Sequence, residues 1–217
     1  DAITSAVIAK LGAGEKPLAG KRALVTAGPT HEPIDPVRYI ANRSSGKQGY
    51  AIAEAMAKLG AETVLVSGPT NLPVPTNVTL AAVETAEQMK QACEDQLPCA
   101  IAVLSAAVAD WRCAKPQNAK IKKQTDDAAP TFELIENPDI LAHLSRHPKR
   151  PELLIGFAAE TDDVLDNARD KLARKGCDWI VANDVSPETG VMGGTDNTVH
   201  IIEQSHYEAW EKMSKED

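Results

Sequence analysis

The chain has 217 residues and a mass of 23.2 kDa, with 31 acidic and 23 basic side chains and a formal net charge of −8. This size fits one domain with a hydrophobic core, or two small ones, and the 43% apolar and 25% charged residues exclude disordered and fibrous architectures. The acidic balance also argues against nucleic acid as a partner, because nucleic-acid binding depends on a basic surface, so an anionic ligand needs a locally basic site.

Residues 1–19 are predicted to form a leader and linker in front of one domain at 20–217. The spacing of Ile3, Val7, Ile8 and Leu11 predicts a short amphipathic helix in the leader. The leader lacks the basic-then-apolar order of a signal peptide, and no apolar run reaches the roughly 18 to 20 residues of a membrane span. We therefore expect a cytoplasmic protein with no membrane partner. Because the chain does not begin with Met and 210–217 read as the start of a polar helix, we expect a longer parent protein.

From residue 20 onward, short apolar runs alternate with helical patterns. The predicted strands are 22–27, 63–68, 99–106, 153–159, 178–183 and 198–202. The predicted helices are 46–60, 85–96, 137–147 and 166–176. Repeated strand–helix units predict an α/β fold, a three-layer α/β/α Rossmann-like domain with a mostly parallel sheet. A basic, non-periodic stretch and the edge-strand pattern TFELIE interrupt this order and predict an inserted arm at about 111–136.

The loop after the first strand spans residues 28–49, which is far longer than the roughly 2 to 6 residues of an ordinary connection, and such loops are usually functional. It ends in Ser44, Ser45, Gly46 and Lys47, at a helix N-terminus whose free N–H groups and dipole favour an anion. The alternative is an ordinary serine cap beside a solvated lysine. The loop is not a Walker A motif, and no GxGxxG fingerprint follows the first strand.

In an open parallel sheet, ligands bind beyond the carboxyl ends of the strands, so the segments after the other strands are also candidates. SAAVAD at 105–110 has small side chains that let a flat ligand approach the backbone, and Asp110 is available to a ligand or a metal; the alternative is tight packing under a helix. Phe157 either contacts a ligand or closes the core. Lys171 and Lys175 lie one helical turn apart, where two cations repel each other unless an anion such as a triphosphate is shared.

The predicted arm carries an excess of cations. The stretch from Trp111 to Lys123 contains no acidic residue and five basic ones, which are Arg112, Lys115, Lys120, Lys122 and Lys123. Lys122 and Lys123 are also explained as a solvated face. Lys120 lies between Ala119 and Ile121, so an arm anchored by Ile121 would present Lys120 either inward or outward.

Five motifs occur in the order that one known family has: TAGPTHEPIDPVRYIANRSSGKQG, SAAVAD followed ten residues later by KIKK, ENPDI, GFAAET and IVANDVS. With them the chain resembles phosphopantothenoylcysteine synthetase, or phosphopantothenate-cysteine ligase, of coenzyme A biosynthesis over about residues 20–203. The resemblance implies a ligase that forms a C–N bond between 4′-phosphopantothenate and L-cysteine. It implies CTP as co-substrate, Mg²⁺, an acyl-cytidylate intermediate, and CMP and pyrophosphate as products.

The same resemblance implies roles for individual residues. Lys120 corresponds to the lysine that stabilises acyl-cytidylate formation, and Asn42 to the asparagine that holds the activated acyl group. Arg38 and Ala107 join Asn42 on the pantothenate side. Besides Lys120, the implied nucleotide site contains Ser105, Ala106, Asp110, Asn137, Pro138, Asp139, Ile140, Phe157, Lys171 and Lys175. The metal ligand stays unknown.

The family is dimeric, so the resemblance also implies a homodimer whose arm at 111–136 reaches the neighbouring protomer's site as a lid, with 131–136 pairing across the interface. A flavin-dependent phosphopantothenoylcysteine decarboxylase domain is expected in the parent protein, and no flavin in this domain. CTP is expected for a bacterial member, although the residues themselves do not separate CTP from ATP. The alternatives are a non-catalytic nucleotide-binding module and another Rossmann-like nucleotide enzyme, which the missing glycine fingerprint disfavours.

Overall fold

The computed structural model describes residues 16–122, 129–160, 163–184, 196–210 and 213–214. The helix predicted inside the leader therefore lies outside the described residues, and residues 16–20 form a turn. Among the described residues, no helix has the length and apolar character needed to cross a membrane.

One eight-stranded sheet forms the centre of the domain. In chain order its strands are β1 (Arg22–Ala27), β4 (Glu62–Ser67), β5 (Val78–Ala82), β6 (Ile101–Leu104), β9 (Leu153–Glu160), β10 (Trp179–Asp184), β12 (Val199–Ile202) and β13 (Tyr207–Ala209). Their order across the sheet is β13-β12-β10-β9-β6-β1-β4-β5. The six strands from β10 to β5 are parallel, and β12 and β13 continue the sheet in antiparallel fashion.

In the part of the chain that the structure describes, three two-stranded ladders lie outside this sheet, and each pairs antiparallel. They are β2 (Glu32–Pro33) with β3 (Tyr39–Ile40), β7 (Trp111–Cys113) with β8 (Leu134–Glu136), and β11 (Asp196–Asn197) with β14 (Met213–Ser214). The ladder of β2 and β3 belongs to the long loop after β1. In the ladder of β7 and β8, the two ends of the inserted arm pair with each other within one chain.

Helices cover both faces of the sheet. They are α1 (Lys47–Lys58), α2 (Ala86–Glu94), α3 (Ile140–Ser145) and α4 (Val164–Lys175). Tyr50, Ile52 and Met56 of α1 pack on one face, whereas buried side chains of α2, α3 and α4 form a second core on the other. The three-layer α/β/α architecture with a mostly parallel sheet, predicted from the alternating pattern, is confirmed.

Strands β5, β7 and β13 and the two-residue strands β2, β3, β11 and β14 were not predicted from the sequence. β5 and β13 are edge strands with mostly exposed side chains, and β7 has only three residues, of which Trp111 is exposed and Cys113 is buried. Such short or exposed segments carry no core-forming pattern. The polar helix expected near the C-terminus is wrong at Met213–Ser214, which pair as a strand with β11. The helix predicted at 137–147 is shorter, because Asp139 caps it and it ends at Ser145.

The strand order creates a crevice at one place along the sheet. The chain runs from β1 outward to β4 and β5, and then returns to place β6, β9 and β10 on the other side of β1. The carboxyl ends of β1 and β6 are therefore neighbours from which the chain leaves in opposite directions. Ligands of doubly wound sheets bind at this switch point, beyond the carboxyl ends of the strands.

Candidate active site at the carboxyl edge of the sheet

The loops that leave β1 and β6 remain hydrogen-bonded to each other beyond the sheet. Ala107 N donates to Gly28 O (2.9 Å), and Thr30 N donates to Ala107 O (3.4 Å). Thr30 is fully buried, and its hydroxyl accepts a hydrogen bond from Ala109 N (3.0 Å). The small residues after β6 therefore form a fixed floor for the crevice, with Ala107 at its centre.

Ser105 and Ala106 contact β1 directly. Ser105 Oγ donates to Thr26 O (2.7 Å), and Ala106 N donates to the Thr26 hydroxyl (3.2 Å). Gly49 of α1 lies so close that a Cβ built on it would be 2.7 Å from Ser105 Oγ. The packing interpretation has direct support for both residues, because Ser105 lies under the start of α1 and Ala106 packs against the core on the other face of the sheet.

The N-terminus of α1 carries no side-chain cap. Its N-cap is Gly46, with φ of 76°, a left-handed conformation that glycine adopts without strain. The Ser44 hydroxyl accepts a hydrogen bond from Gly46 N (3.3 Å) and so shapes the turn before the helix. The ordinary serine cap is therefore not what the structure contains, and the first turn of α1 keeps the electrostatic preference of a helix N-terminus for an anion.

Two asparagine side chains bind consecutive carbonyl groups of the loop after β6. Asn42 Nδ2 donates to Val108 O (2.9 Å), and Asn137 Nδ2 donates to Ala109 O (2.7 Å). The Asn137 backbone N–H also donates to Asp110 O (2.8 Å), which fixes the exposed Asp110 beside the turn that continues into Pro138. These hydrogen bonds bring three sequence-predicted segments together, although they are far apart in the chain.

Asp139 and Lys175 connect α3 with α4. Asp139 Oδ1 accepts a hydrogen bond from Ala142 N (3.0 Å) at the N-terminus of α3, and Asp139 Oδ2 forms an ion pair with Lys175 Nζ. Desolvation raises the pKa of Asp139, but the Lys175 and Ala142 hydrogen bonds and the charges of Lys175 and Arg174 lower it more, so the pKa lies below its usual value. Lys171 lies one turn before Lys175 on α4 and is half-buried. Ile140, which follows Asp139 in the chain, is buried in the core.

Arg38 and the arm meet at Asp35, a buried carboxylate that the sequence analysis did not single out. Arg38 Nη1 forms an ion pair with Asp35 Oδ2 (2.9 Å), and Ile121 N donates to the same oxygen (3.1 Å). Lys120 is exposed and Ile121 half-buried, so the arm is anchored through Ile121 and presents Lys120 to solvent. Of the two predicted orientations of Lys120, the single chain therefore shows the outward one.

Other candidates have structural tasks. Arg112 donates to Glu136 O (2.7 Å) and to Asn137 Oδ1 (3.0 Å), so it holds the arm against the Asn137 turn. Phe157 is half-buried and packs against the core on the α1 face, which supports the core interpretation. Lys115 and Lys122 are exposed, whereas Lys123 lies outside the described residues.

Thr30 and Glu32, which no sequence motif singled out, also organise the long loop. Glu32 is 1% exposed, and its Oε1 accepts a hydrogen bond from Ala86 N (2.9 Å) at the start of α2. A usable signal existed only for Asp35, because an aspartate directly before Pro36 is typical of a turn whose side chain binds its own backbone. No local pattern predicts its contact with Ile121.

The strand order, the crevice at the switch point and the long loop beside it define a doubly wound, Rossmann-like α/β domain, in which the switch point lies between β1 and β6. The chain belongs to the family of the DNA/pantothenate metabolism flavoprotein C-terminal domain, whose model matches residues 18–217. The family predicted from the five motifs is thereby confirmed.

Curated relatives are similar over most of the chain. It is 50% identical over 202 residues to the coenzyme A biosynthesis bifunctional protein CoaBC of Haemophilus influenzae, which covers 91% of this chain and 49% of that protein. It is 47% identical over 187 residues to the CoaBC of Vibrio vulnificus, with coverage of 86% and 47%. The chain thus spans about half the length of the curated relatives it matches. A crystal structure of the CoaBC C-terminal domain superimposes with a TM-score of 0.76 at 40% identity, covering 92% of this chain and 90% of that one.

Proposed function

We propose that this domain joins 4′-phosphopantothenate to L-cysteine at the expense of CTP, as a step of coenzyme A biosynthesis. A carboxylate oxygen of phosphopantothenate attacks the α-phosphorus of CTP, the bond from that phosphorus to the bridging oxygen breaks, and pyrophosphate leaves. The amine of cysteine then attacks the acyl carbon of the acyl-cytidylate, loses a proton, and displaces CMP. The product is 4′-phosphopantothenoylcysteine.

The observation that carries this proposal is the pair of amide hydrogen bonds from Asn42 and Asn137 to Val108 and Ala109. They join the segment proposed to hold the acyl group to the segment proposed to hold the nucleotide, at the switch point where ligands of such sheets bind. The similarity to CoaBC proteins at 47% to 50% identity supports the same reaction class.

The charge distribution also supports the proposal. A carboxylate and a triphosphate repel each other, so their reaction requires local cations in a chain of net charge −8. Lys120 would stabilise the charge that develops during attack at the α-phosphate, and Lys171 and Lys175 would bind the nucleotide. Arg38 keeps an exposed guanidinium face beside Asp35, where it would bind an anionic part of the pantothenate substrate. Asn42 is neutral, so it donates a hydrogen bond without repelling the acyl-phosphate.

Mg²⁺ would enter with the triphosphate, because Mg²⁺ is usually bound by one or two carboxylates together with substrate phosphates. Within the described parts of the chain, no group of three or more His, Cys, Asp or Glu side chains is arranged to hold a metal ion. Asp110 is an exposed carboxylate at the crevice. We therefore assign no protein ligand to Mg²⁺.

The arm supports association with a second copy of the chain. Its ladder of β7 and β8 exposes Trp111 (53%), Leu134 (47%) and Ile135 (39%), and Phe132 beside it is 39% exposed. Clustered apolar side chains of this size commonly mark an interface. We propose a homodimer through this ladder, which sedimentation analysis of a Leu134→Asp variant tests. A wild-type protein that sediments as a monomer would refute it.

One assay tests the proposed reaction. The protein is incubated with CTP, Mg²⁺ and 4′-phosphopantothenate, and pyrophosphate is measured first without and then with cysteine. Pyrophosphate without cysteine indicates the acyl-cytidylate, and CMP and phosphopantothenoylcysteine should appear after cysteine is added. ATP in place of CTP tests base preference. Nucleotide binding without release of pyrophosphate would instead favour the non-catalytic nucleotide-binding module. The parent protein, with its proposed flavin-dependent decarboxylase domain, serves as the reference sample.

A further inference from the structure

Asp35 lies where the long loop after β1 touches the arm. The loop carries Asn42 and Arg38, and the arm carries Lys120 directly before Ile121. Asp35 itself is 3% exposed, so its charge is removed from water. A buried carboxylate is tolerated only when hydrogen bonds and counter-charges replace its hydration.

The two carboxylate oxygens of Asp35 bind different partners. Oδ1 accepts hydrogen bonds from the backbone N–H groups of Val37 (2.8 Å) and Arg38 (2.9 Å), both within the same loop. Oδ2 accepts from Arg38 Nη1 (2.9 Å) and from Ile121 N (3.1 Å) in the arm. One oxygen therefore shapes the turn, and the other links the turn, the guanidinium and the arm. We refer to the hydrogen bonds at Oδ2 as the Asp35 bridge.

Two further contacts, one between backbone groups and one from the Arg38 side chain, also join the loop to the arm. Gln117 N donates to Ile34 O (2.9 Å), and Arg38 Nη2 lies 3.5 Å from Ile121 O. The arm is thus attached on both sides of Lys120, at residues three before and one after it. Although desolvation raises the pKa of Asp35, the hydrogen bonds from Val37, Ile121 and Arg38 and the Arg38 charge hold that pKa below its usual value, so the carboxylate is ionised at neutral pH.

We infer that Asp35 is a positioning residue, which holds the arm and thereby Lys120 at a fixed place relative to Asn42 and Arg38. This inference rests on the proposed function, and it concerns a residue that is not among those proposed to touch phosphopantothenate or CTP. Displacement of a reacting group by about 1 Å can cost on the order of 10²-fold in rate, so a bond that fixes the backbone next to Lys120 affects the first chemical step without touching the substrate.

The substitution Asp35→Asn separates the two oxygens. An asparagine oxygen at the Oδ1 position still accepts from Val37 and Arg38, because asparagine forms the same side-chain turn. Its NH₂ group then faces Arg38 Nη1 and Ile121 N, which are donors as well. The variant keeps the turn and breaks the bridge.

Glu32→Gln is the matched control. Glu32 is a second buried carboxylate of the same loop, and it accepts a hydrogen bond from Ala86 N in α2. The substitution makes the same chemical change from carboxylate to amide, and the remaining oxygen can still accept that hydrogen bond.

The test combines hydrogen exchange with kinetics. In Asp35→Asn the amide hydrogen of Ile121 should exchange about 10-fold faster or more, because its acceptor is lost. The kcat for pyrophosphate release should fall about 10- to 100-fold, with a smaller change in the KM for CTP. Glu32→Gln should leave both values near wild type. Unchanged Ile121 exchange in Asp35→Asn would overturn the bridge, and faster exchange with unchanged kcat would overturn the positioning role.

A second variant keeps the inference testable if Asp35→Asn does not fold. Ile121→Pro removes the donor from the arm and leaves the loop intact, so it should lower kcat to a similar extent. Where both variants fold, the double variant should lose little more than the worse single variant, and additive losses would show that the two residues act separately. If the wild-type protein releases no pyrophosphate, the proposed function fails, and the exchange of Ile121 alone decides whether Asp35 holds the arm.

Discussion

Asp139 and Lys175 form an ion pair that joins the N-terminus of α3 to the last residue of α4. The same Asp139 carboxylate caps α3 through Ala142 N. A carboxylate at a helix N-terminus and a lysine in the last turn of a helix both interact favourably with the helix dipole. The pair therefore orders the turn that begins at Asn137 and holds the Lys175 ammonium group beside that turn.

Two substitutions of Asp139 separate its two tasks. Asp139→Asn keeps a good N-cap and removes the ion pair, which should cost less than about 1 kcal/mol in the free energy of unfolding because the carboxylate is 45% exposed. Asp139→Ala removes the cap as well and should cost about 1 kcal/mol more. Denaturant unfolding measures both, and equal losses would show that the cap contributes nothing.

The stability contribution of this pair should depend on pH in one direction. The pKa of Asp139 is lowered in the folded state, so the contribution is present above the unfolded-state pKa of about 4 and is lost as the pH falls through the folded-state pKa. The difference between wild type and Asp139→Asn should therefore be constant from pH 7 to about pH 5 and shrink below it. A difference that grows on acidification would contradict the assignment.

Lys175→Gln tests the proposed phosphate contact. It should weaken CTP binding about 10-fold, which corresponds to about 1.4 kcal/mol, and weaken CMP binding much less, because CMP lacks the β- and γ-phosphates. Calorimetric titration with both nucleotides gives the two affinities. Lys58→Gln is the control, because Lys58 lies in the last turn of α1, pairs with Glu54, and loses the same charge. Equal weakening of CTP and CMP would place Lys175 away from the outer phosphates.

Lys120→Gln should lower the rate of pyrophosphate release by about 10² to 10³, the usual effect of removing a preorganised donor from a developing charge. Quench-flow measurement with CTP and phosphopantothenate, without cysteine, isolates this step. Lys122→Gln is matched, since Lys122 is also exposed on the arm and two residues away. Near-wild-type formation of the acyl-cytidylate in Lys120→Gln would remove Lys120 from the first step.

Asn42→Asp should slow the transfer to cysteine and let the acyl-cytidylate accumulate. Asn42 Nδ2 donates to Val108 O (2.9 Å), and an aspartate has no hydrogen to donate there. It would also place a negative charge beside the proposed acyl-phosphate. Mass spectrometry of the reaction mixture detects the mixed anhydride, and the pyrophosphate rate is the internal control. Product formation at the wild-type rate would contradict the role of Asn42.

The central strands and four helices were predictable because their core positions repeat with the period of a strand or a helix. Leu24, Val103 and Ile155 are fully buried or nearly so in adjacent strands, and Met56 lies on the buried face of α1. The edge strand β5 was not predictable in this way, because Thr79 and Leu80 are exposed and its pairing with β4 depends on backbone hydrogen bonds.

The candidate site was predictable as a set of segments and not as a set of contacts. Strand order places the loops after β1 and β6 side by side, so Asn42 and Ala107 were expected at one edge. The contacts that fix them join positions far apart in the chain, such as Asp35 with Ile121 and Asn137 with Ala109. No local pattern encodes such pairs, because each depends on the folded position of the other partner.

The absence of a side chain at Gly49 lets α1 approach the end of β1 closely, and Gly49→Ala tests this close approach. A Cβ at this position would lie 2.5 Å from Ala27 Cβ and 2.9 Å from Thr26 O, and neither the strand backbone nor its Cβ can move away cheaply. The substitution should therefore cost about 1 to 3 kcal/mol of stability and shift the start of α1 away from the end of β1. Thermal unfolding measures the loss, with Lys58→Ala in the exposed last turn of the same helix as control. The shift also moves the uncapped first turn of α1, so the affinity for nucleotide or phosphopantothenate should fall in Gly49→Ala and stay near wild type in Lys58→Ala. Unchanged stability of Gly49→Ala would mean that α1 and β1 separate without cost.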